Sequence, residues 1–468
     1  MSDLDFIATN RFGLGARAGE LGQAAGDPKG WLAQQVKGTR SSPAAISALP
    51  NSAAVFRVYE ESRQQQQESK RAVAADPEEV KKKFMAVRKA VAPIYLDQVA
   101  ARYETAVKST ESFRERLVHF WSNHFAVSAD KPQVAALAAT LENEAVRPHL
   151  ASSFGDMLLA VESHPAMILY LDNQASIGSD SIAAKRFERR AAANGRKVGI
   201  NENLAREILE LHTLGVNGGY TQADVTAFAR VLTGWSIGSD RGPMAAGEVG
   251  KFLFRENAHE PGAQTVLGKR YSEAGEEQAR TVLRDLAKHP ATATHIATKL
   301  ARHFIADDPP PDAVTRLAKV FRDSSGQLTE VHQALIELDP AWRPEFIKYK
   351  TPHEFVVSTL RSVDLVPAKP QQVFASFQLL GQRPFTPGSP AGWPDTAAQW
   401  DGPDALLKRI EWASQFGERV GAKVKPLEVA AASLGQSLSD RTRTAISRAA
   451  SAAQGVALLL ASPEFMRR

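Results

Sequence analysis

The sequence predicts an all-α protein with one small β-hairpin near residues 251–271. Three observations predict it. Apolar residues recur at helical spacing in segment after segment, several of those segments open on helix-start signals, and only one stretch sets β-branched and aromatic residues about a turn.

In chain order, "ESFRERLVHFWSNHFAV" (111–127), "FGDMLLAVESH" (154–164), "ARTVLRDLAKH" (279–289), "HIATKLARHFI" (295–305), "EFVVSTLRSV" (354–363) and "DALLKRIEWASQF" (404–416) read as amphipathic helices. Before them, "ESRQQQQESKRAVAADPEEVKKK" (61–83) is polar enough to read as a solvated helical arm. Thr351-Pro352-His353-Glu354 offers an N-cap, a proline at the first helical position and a glutamate three residues after the cap. Thr221-Gln222-Ala223-Asp224 is a similar box, and Ser462-Pro463-Glu464 marks a late chain turn. The exception is "KFLFRENAHEPGAQTVLGKRY" (251–271), a short hairpin about its Pro-Gly turn, which must pack on helices because a lone hairpin is marginal.

Two connections are long. Residues 176–201 are small, basic and glycine-containing and read as a mobile surface loop. "GQRPFTPGSPAGWPDTAAQW" (381–400) is rich in proline and glycine yet holds two tryptophans, and long loops in compact proteins are more often functional or disordered than neutral. No internal repeat is visible. The chain reads as one helical unit over 1–468, with an N-terminal part (1–175), the loop (176–200), a central part with the hairpin (201–380) and a C-terminal part (381–468).

Composition narrows the classes. Of 468 residues, 43% are hydrophobic, which is ample core material. The formal charge of +5 is mild, and the basic runs at 81–89 and 185–190 contain apolar residues at helical spacing, so they read as solvated helix faces. Without an aromatic-basic stripe, no nucleic-acid partner is expected. The absence of cysteine removes disulfides, thiol nucleophiles and thiolate ligands together. No apolar stretch approaches the roughly 18–20 residues that span a bilayer. The start, "MSDLDFIATNRFG", carries acids where a secretory leader carries a basic end, so the chain as written is expected to be cytoplasmic.

The densest polar stretch is "NENLAREILELHTLGVNGGYT" (201–221). On a straight helix with Asn203 at zero, Glu207 falls at about +40°, Glu210 at about −20° and Arg206 at about −60°. These share one face. Leu204, Ala205, Ile208, Leu209 and Leu211 form the apolar arc, and His212, at about 180°, lies inside it. A chelate of Glu207, Glu210 and His212 is therefore excluded, and His212 reads as a core histidine with one bonded ring nitrogen. The glycine-rich turn then feeds a helix that packs Val225, Phe228, Ala229 and Leu232 inward and ends at Trp235. His124 shares an aromatic stripe with Phe113, Leu117 and Phe120, as a core histidine or a general base whose pKa burial would depress. His119 and Asn123 share the polar side, and His259 sits at the expected hairpin turn. No HExxH, P-loop, GxSxG or GxGxxG is present, so cofactor and metal stay unassigned.

Ordered strings carry one further reading. "NRFGLGAR", "FWSNHFAVS", "YLDNQ", "NENLAREILELHTLGVNGGYTQADV", "ARVLTGW", "HEPGAQTVLG", "KLARHF", "KTPHEFVVSTLR", "GWPDTAAQW" and "LLASPEF" follow one another along nearly the whole chain. Together they resemble the bacterial family known as domain of unknown function 1800. The resemblance implies a mostly α-helical bacterial protein. It also implies a partner, the product of a neighbouring gene from a second, typically exported, uncharacterised family, and hence work at the envelope. The family motif falls on Asn201, Glu202, Asn203, Arg206, Glu207 and Glu210, on Asn123 and His124, on His259, and on Thr233, Gly234 and Trp235.

The expectation is an enzyme with a carboxylate-lined helical cleft, hydrolase-like, acting on an envelope or saccharide-type substrate. Glu207, Glu210 and His124 are the candidate catalytic residues, since paired carboxylates in unlike environments divide into an acid and a base. Asn123, Asn203, Arg206, Trp235 and His259 are the candidate substrate contacts, with Trp121, Trp235 and Trp393 as flat platforms. The alternatives are a non-catalytic scaffold docking a partner, its stripe buried as an ion network with Arg206 and Arg230, and a metal-dependent redox enzyme. An enzyme needs an accessible pocket where a carboxylate meets a histidine. A scaffold needs every carboxylate paired.

Overall fold

Helix-start chemistry and helical periodicity act together along this chain. In a computed structural model, which describes residues 3–71, 77–191, 199–240 and 245–468 (the backbone alone over 65–71, 77–88 and 187–191), each of the six amphipathic segments is a helix. Thr221 and Thr351 both close complete capping boxes, accepting from the backbone N–H of Asp224 and Glu354. Among the described residues the structure is mostly helical, 63% of it, and the strands form two antiparallel pairs. No helix among the described residues is long and apolar enough to cross a membrane.

Buried side chains gather into two large hydrophobic clusters. The first runs from Ile7 to Trp342 and centres on aromatic contacts such as Phe12 with Phe113 and Trp121 with Phe125 and Phe154. The second joins Phe6, Leu14 and the inner face of the Pro77–Lys108 helix to residues 349–466. The Ser112–His124, Pro290–Phe304 and Pro352–Ser362 helices carry the seam between them.

The β-structure differs in detail from the expectation. Phe252–Phe254 pairs with Trp235–Ile237, and the hairpin within 251–271 joins Gln264–Val266 to Lys269–Tyr271. Its turn is Leu267–Gly268, both at positive φ, not Pro261–Gly262. A two-residue turn of that kind favours asparagine at its first position, so a leucine there gives no sequence signal. The Leu267 N–H instead donates to Asp224 Oδ1 at 2.7 Å, which anchors the turn from the neighbouring helix.

The two long connections are also more ordered than predicted. Ile182–Ala191 is a helix, and Ala183 and Ala184 pack with Ile177 against Ala258; residues 192–198 of the expected loop lie outside the described residues. The 381–400 segment is clamped at several points. Tyr95 Oη donates to Pro384 O at 2.6 Å, Ala129 N–H to Phe385 O at 2.7 Å, and Ala397 N–H to Asp307 Oδ2 at 2.7 Å.

The Pro403–Val420 and Ala452–Leu460 helices pack most closely at a glycine. A Cβ on Gly417 would stand 2.3 Å from the Ala453 carbonyl oxygen. In an exposed helix Gly→Ala gains about 1 kcal/mol, whereas forcing atoms into a packed backbone contact costs about 1–3 kcal/mol. Gly417→Ala is therefore expected to destabilise in urea unfolding; a gain would show that these helices do not touch there.

Candidate functional site

A cavity of about 360 Å³ opens at the seam between the two cores. Four stretches far apart in sequence, within 116–127, 299–303, 351–354 and 382–396, supply most of its wall. In the Ser112–His124 helix, His119 and Asn123 fall four residues apart and His124 lies beside them. In the Pro290–Phe304 helix, Lys299, Arg302 and His303 share a face by the same rule. Thr351, His353 and Glu354 come from the first turn of the Pro352–Ser362 helix, and Phe385, Trp393 and Asp395 from the clamped segment.

That segment is seated by Asn123. Its Nδ2 donates to Trp393 O at 2.9 Å and its Oδ1 accepts from Trp393 N–H at 2.7 Å. The fit requires Gly392, at φ +83°, because a Cβ there would lie 2.3 Å from the Asn123 carbonyl oxygen. Trp393 and Asp395 are thereby held over the helix end.

Charge is arranged around Glu354. The capping box turns its carboxylate toward its own helix N-terminus, where Oε2 accepts from Thr351 N–H at 2.8 Å. Oε1 meets Arg116 in close contact and Arg468 at 2.8 Å. Burial alone would raise this carboxyl; Arg468 and Arg116 outweigh it and hold it well below the usual carboxylate range. Arg116 also donates from Nη1 to Gly13 O at 2.6 Å and from Nε to His303 Nε2 at 3.2 Å. With Nε2 accepting, the His303 proton resides on Nδ1 and is donated to Asp395 Oδ2 at 2.7 Å. Burial lowers His303 to about 4 despite Asp395, so the imidazole is neutral at neutral pH. Asp395 stays ionised because His303, Lys348 and Arg468 outweigh its burial.

Two further groups complete the wall. His124 is buried, and its Nε2 lies 3.2 Å from His212 O; a carbonyl only accepts, so Nε2 carries the proton and Nδ1 is a lone pair with no partner. Burial first, and then the Lys299 charge, push its pKa well down. Lys299 is half-buried and, among the described residues, its ammonium has neither hydrogen bond nor ion pair. Burial lowers it to about 8. Within the wall, His353 Nε2 meets His119 Nδ1 at 2.9 Å while its Nδ1 meets Tyr103 Oη at 3.0 Å, and burial keeps both imidazoles neutral.

Of the residues singled out in the sequence, His124 and Asn123 line this cavity, and so does Trp393. Glu207 and Glu210 do not. They lie half-buried on the Asn203–Glu207 helix and its continuation, with Tyr220 Oη donating to Glu210 Oε2 at 3.2 Å. Burial raises the Glu207 carboxyl. Arg206 pairs with Glu202 and Gln222 instead of this stripe, and Asn203 is exposed. Trp235 and Trp121 are fully buried and offer no platform to a ligand. His259 is half-buried rather than in an exposed turn, its Nδ1 3.0 Å from Thr233 O. His212 is a core histidine with one bonded ring nitrogen, its partner being the buried Glu162 at 2.7 Å. Among the described residues, no group of three His, Asp or Glu side chains converges as a metal ion would need.

Sequence reasoning passed over Lys299, His303, Glu354 and Asp395. The available signal was that each lies within a string on which the family resemblance rests: "KLARHF", "KTPHEF" and "GWPDTAAQW".

The geometry separates the two carboxylate groups by stability. Removing one member of a buried ion set costs about 3–5 kcal/mol, whereas half-exposed carboxylates cost about 1 kcal/mol or less. Glu354→Ala should fall in the first class and Glu207→Ala and Glu210→Ala in the second, by urea unfolding; equal losses would dissolve the distinction.

A proton count gives another check. His295 and His303, lowered to about 4, and His332, lowered to about 3, titrate near 6.5 once unfolded. Between about 4 and 6.5 the unfolded chain binds more protons, so stability rises with pH there and is lost on acidification. His332→Gln should flatten that slope by about 1.4 kcal/mol per pH unit, one proton's worth. An unchanged slope would place the uptake elsewhere.

No curated protein matches this chain, and no solved structure does. The family model described as "Protein of unknown function (DUF1800)" matches residues 7–467, almost the whole length, and the chain belongs to that family.

Proposed function

We propose that this protein is an enzyme whose active site is the cavity between the two cores, acting by general acid–base chemistry on a small organic anion. One observation carries the reading: an accessible cavity lined by a carboxylate, Asp395, that holds His303, by a neutral histidine with an unpartnered ring nitrogen, His124, and by a cation without a partner, Lys299. That is the meeting of carboxylate and histidine that an enzyme requires, supplied by residues other than Glu207 and Glu210.

The chemistry follows from the roles available. His124, neutral and with an unpartnered Nδ1 lone pair, is the imidazole able to accept a proton from water or substrate, typically worth about 10²–10⁴ in rate. His303, whose Nε2 already accepts from Arg116, holds Asp395 in place. Lys299 and Arg302 supply positive charge where an oxyanion would develop. The aromatic rings of Phe120, Phe125, Phe385 and Trp393 give the apolar surface that small-molecule sites need. Hydrolysis is the reaction class this arrangement favours. A partner protein encoded nearby remains part of the reading, and the exposed row Leu406, Leu407 and Ile410 on the Pro403–Val420 helix is a face it would cover.

The test is release of 4-nitrophenolate from the neutral acetate ester, the anionic hemisuccinate ester and neutral glycosides. The anionic ester should be preferred, His124→Gln should lower turnover by about 10²-fold or more, and Glu207→Gln should leave it unchanged. Hydrolysis indifferent to His124, or of glycosides alone with dependence on Glu207, would sink this reading.

A further inference from the structure

We infer that Lys299 binds its substrate covalently, as an imine with an oxo acid that carries an apolar side chain. The inference rests on the cavity being an active site for a small organic anion; it names the class of that anion and does not require the reaction there to be hydrolysis.

The contrast among the cavity's cations points to Lys299. Arg102 is locked to Glu142, Arg116 to Glu354, and Arg383 to Asp130 at 2.8 Å. The buried lysines nearby are also engaged, Lys348 with Asp307 at 2.5 Å and Lys350 with Ser358 Oγ at 3.2 Å. Lys299 alone among the described residues of this wall has no such contact. Its closest source of neutralisation would be Asp395, but that carboxylate is committed to His303. An amine that is desolvated and unpaired loses its proton readily, which is how lysines become nucleophiles.

The substrate's other features follow from the remaining lining. Arg302 uses only Nε, on Asp307 O at 3.1 Å, so its terminal nitrogens remain for a carboxylate one helical step from Lys299. The Phe120, Phe125, Phe385 and Trp393 rings face an apolar side chain. Forming the imine is balanced with no other reactant. The Nζ lone pair bonds the carbonyl carbon while the C=O π pair moves to oxygen. The two protons that nitrogen loses leave with that oxygen as water, and the nitrogen pair closes C=N. His124, with its unpartnered Nδ1, is the neutral base at hand to carry those protons.

The experiment treats the intact protein with phenylpyruvate and sodium cyanoborohydride, then maps reduced adducts by peptide mass spectrometry. Lys299 should be labelled about tenfold faster than any other lysine, in keeping with the larger free-amine fraction of a lowered pKa, and Lys299→Arg should abolish that site. Thermal stabilisation by phenylpyruvate without reductant is measured in parallel. Stabilisation with no preferential labelling of Lys299 would overturn the imine while leaving the anion-binding cavity standing. Neither stabilisation nor labelling would overturn both.

Discussion

The Glu354 carboxylate, buried between Arg116 and Arg468, is the contact on which the arrangement of this molecule depends. Through Arg116 it reaches Gly13 and His303, and through Arg468 it reaches the His303 carbonyl at 2.8 Å. Five segments remote in sequence meet there. Withdrawing such charges from water costs several kcal/mol per ion, and well-packed apolar residues of equal volume would often hold a core as well or better. The network's particular effect is therefore positional. It keeps a polar wall open at a place where two apolar clusters would otherwise close on each other, and it fixes the tautomer of His303 that faces Asp395.

Local chemistry was readable from the sequence because it is local. The capping boxes at Thr221 and Thr351, the six amphipathic helices and the inward turn of His212 each depend on residues within one or two turns. The cavity was not readable, because Lys299, Glu354 and Asp395 read individually as ordinary charges on helices or in a loop. Only tertiary packing reveals that Asn123 seats the loop holding Asp395. Glu207 and Glu210 drew attention by density along the chain, which measures neither burial nor convergence. Trp235 shows the opposite error: a motif tryptophan that the fold uses wholly as core.

Departures from regular helix were a second source of difference. Ile7–Phe12, Glu142–Val146 and Ile208–His212 are π-helical turns, wider than the 3.6-residue period assumed in placing side chains by angle. Such turns are found often at functional sites, and here each abuts the polar wall. The first leads into Gly13, whose carbonyl accepts from Arg116; the second carries Glu142, which binds Arg102.

The third π-turn ties the densest polar stretch to the cavity it does not line. At a helix end the last carbonyls lack an N–H from the next turn and must find donors elsewhere. Leu211 O lies 3.0 Å from His295 Nε2, and His212 O lies 3.2 Å from His124 Nε2. Both rings must therefore carry their proton on Nε2. For His124 this leaves an unpartnered Nδ1 in the field of Lys299, a lone pair where the reverse tautomer would present a donor. The stretch that looks like a catalytic string acts on the cavity through its backbone, by deciding which nitrogen of His124 is basic, and its glutamates take no part in that.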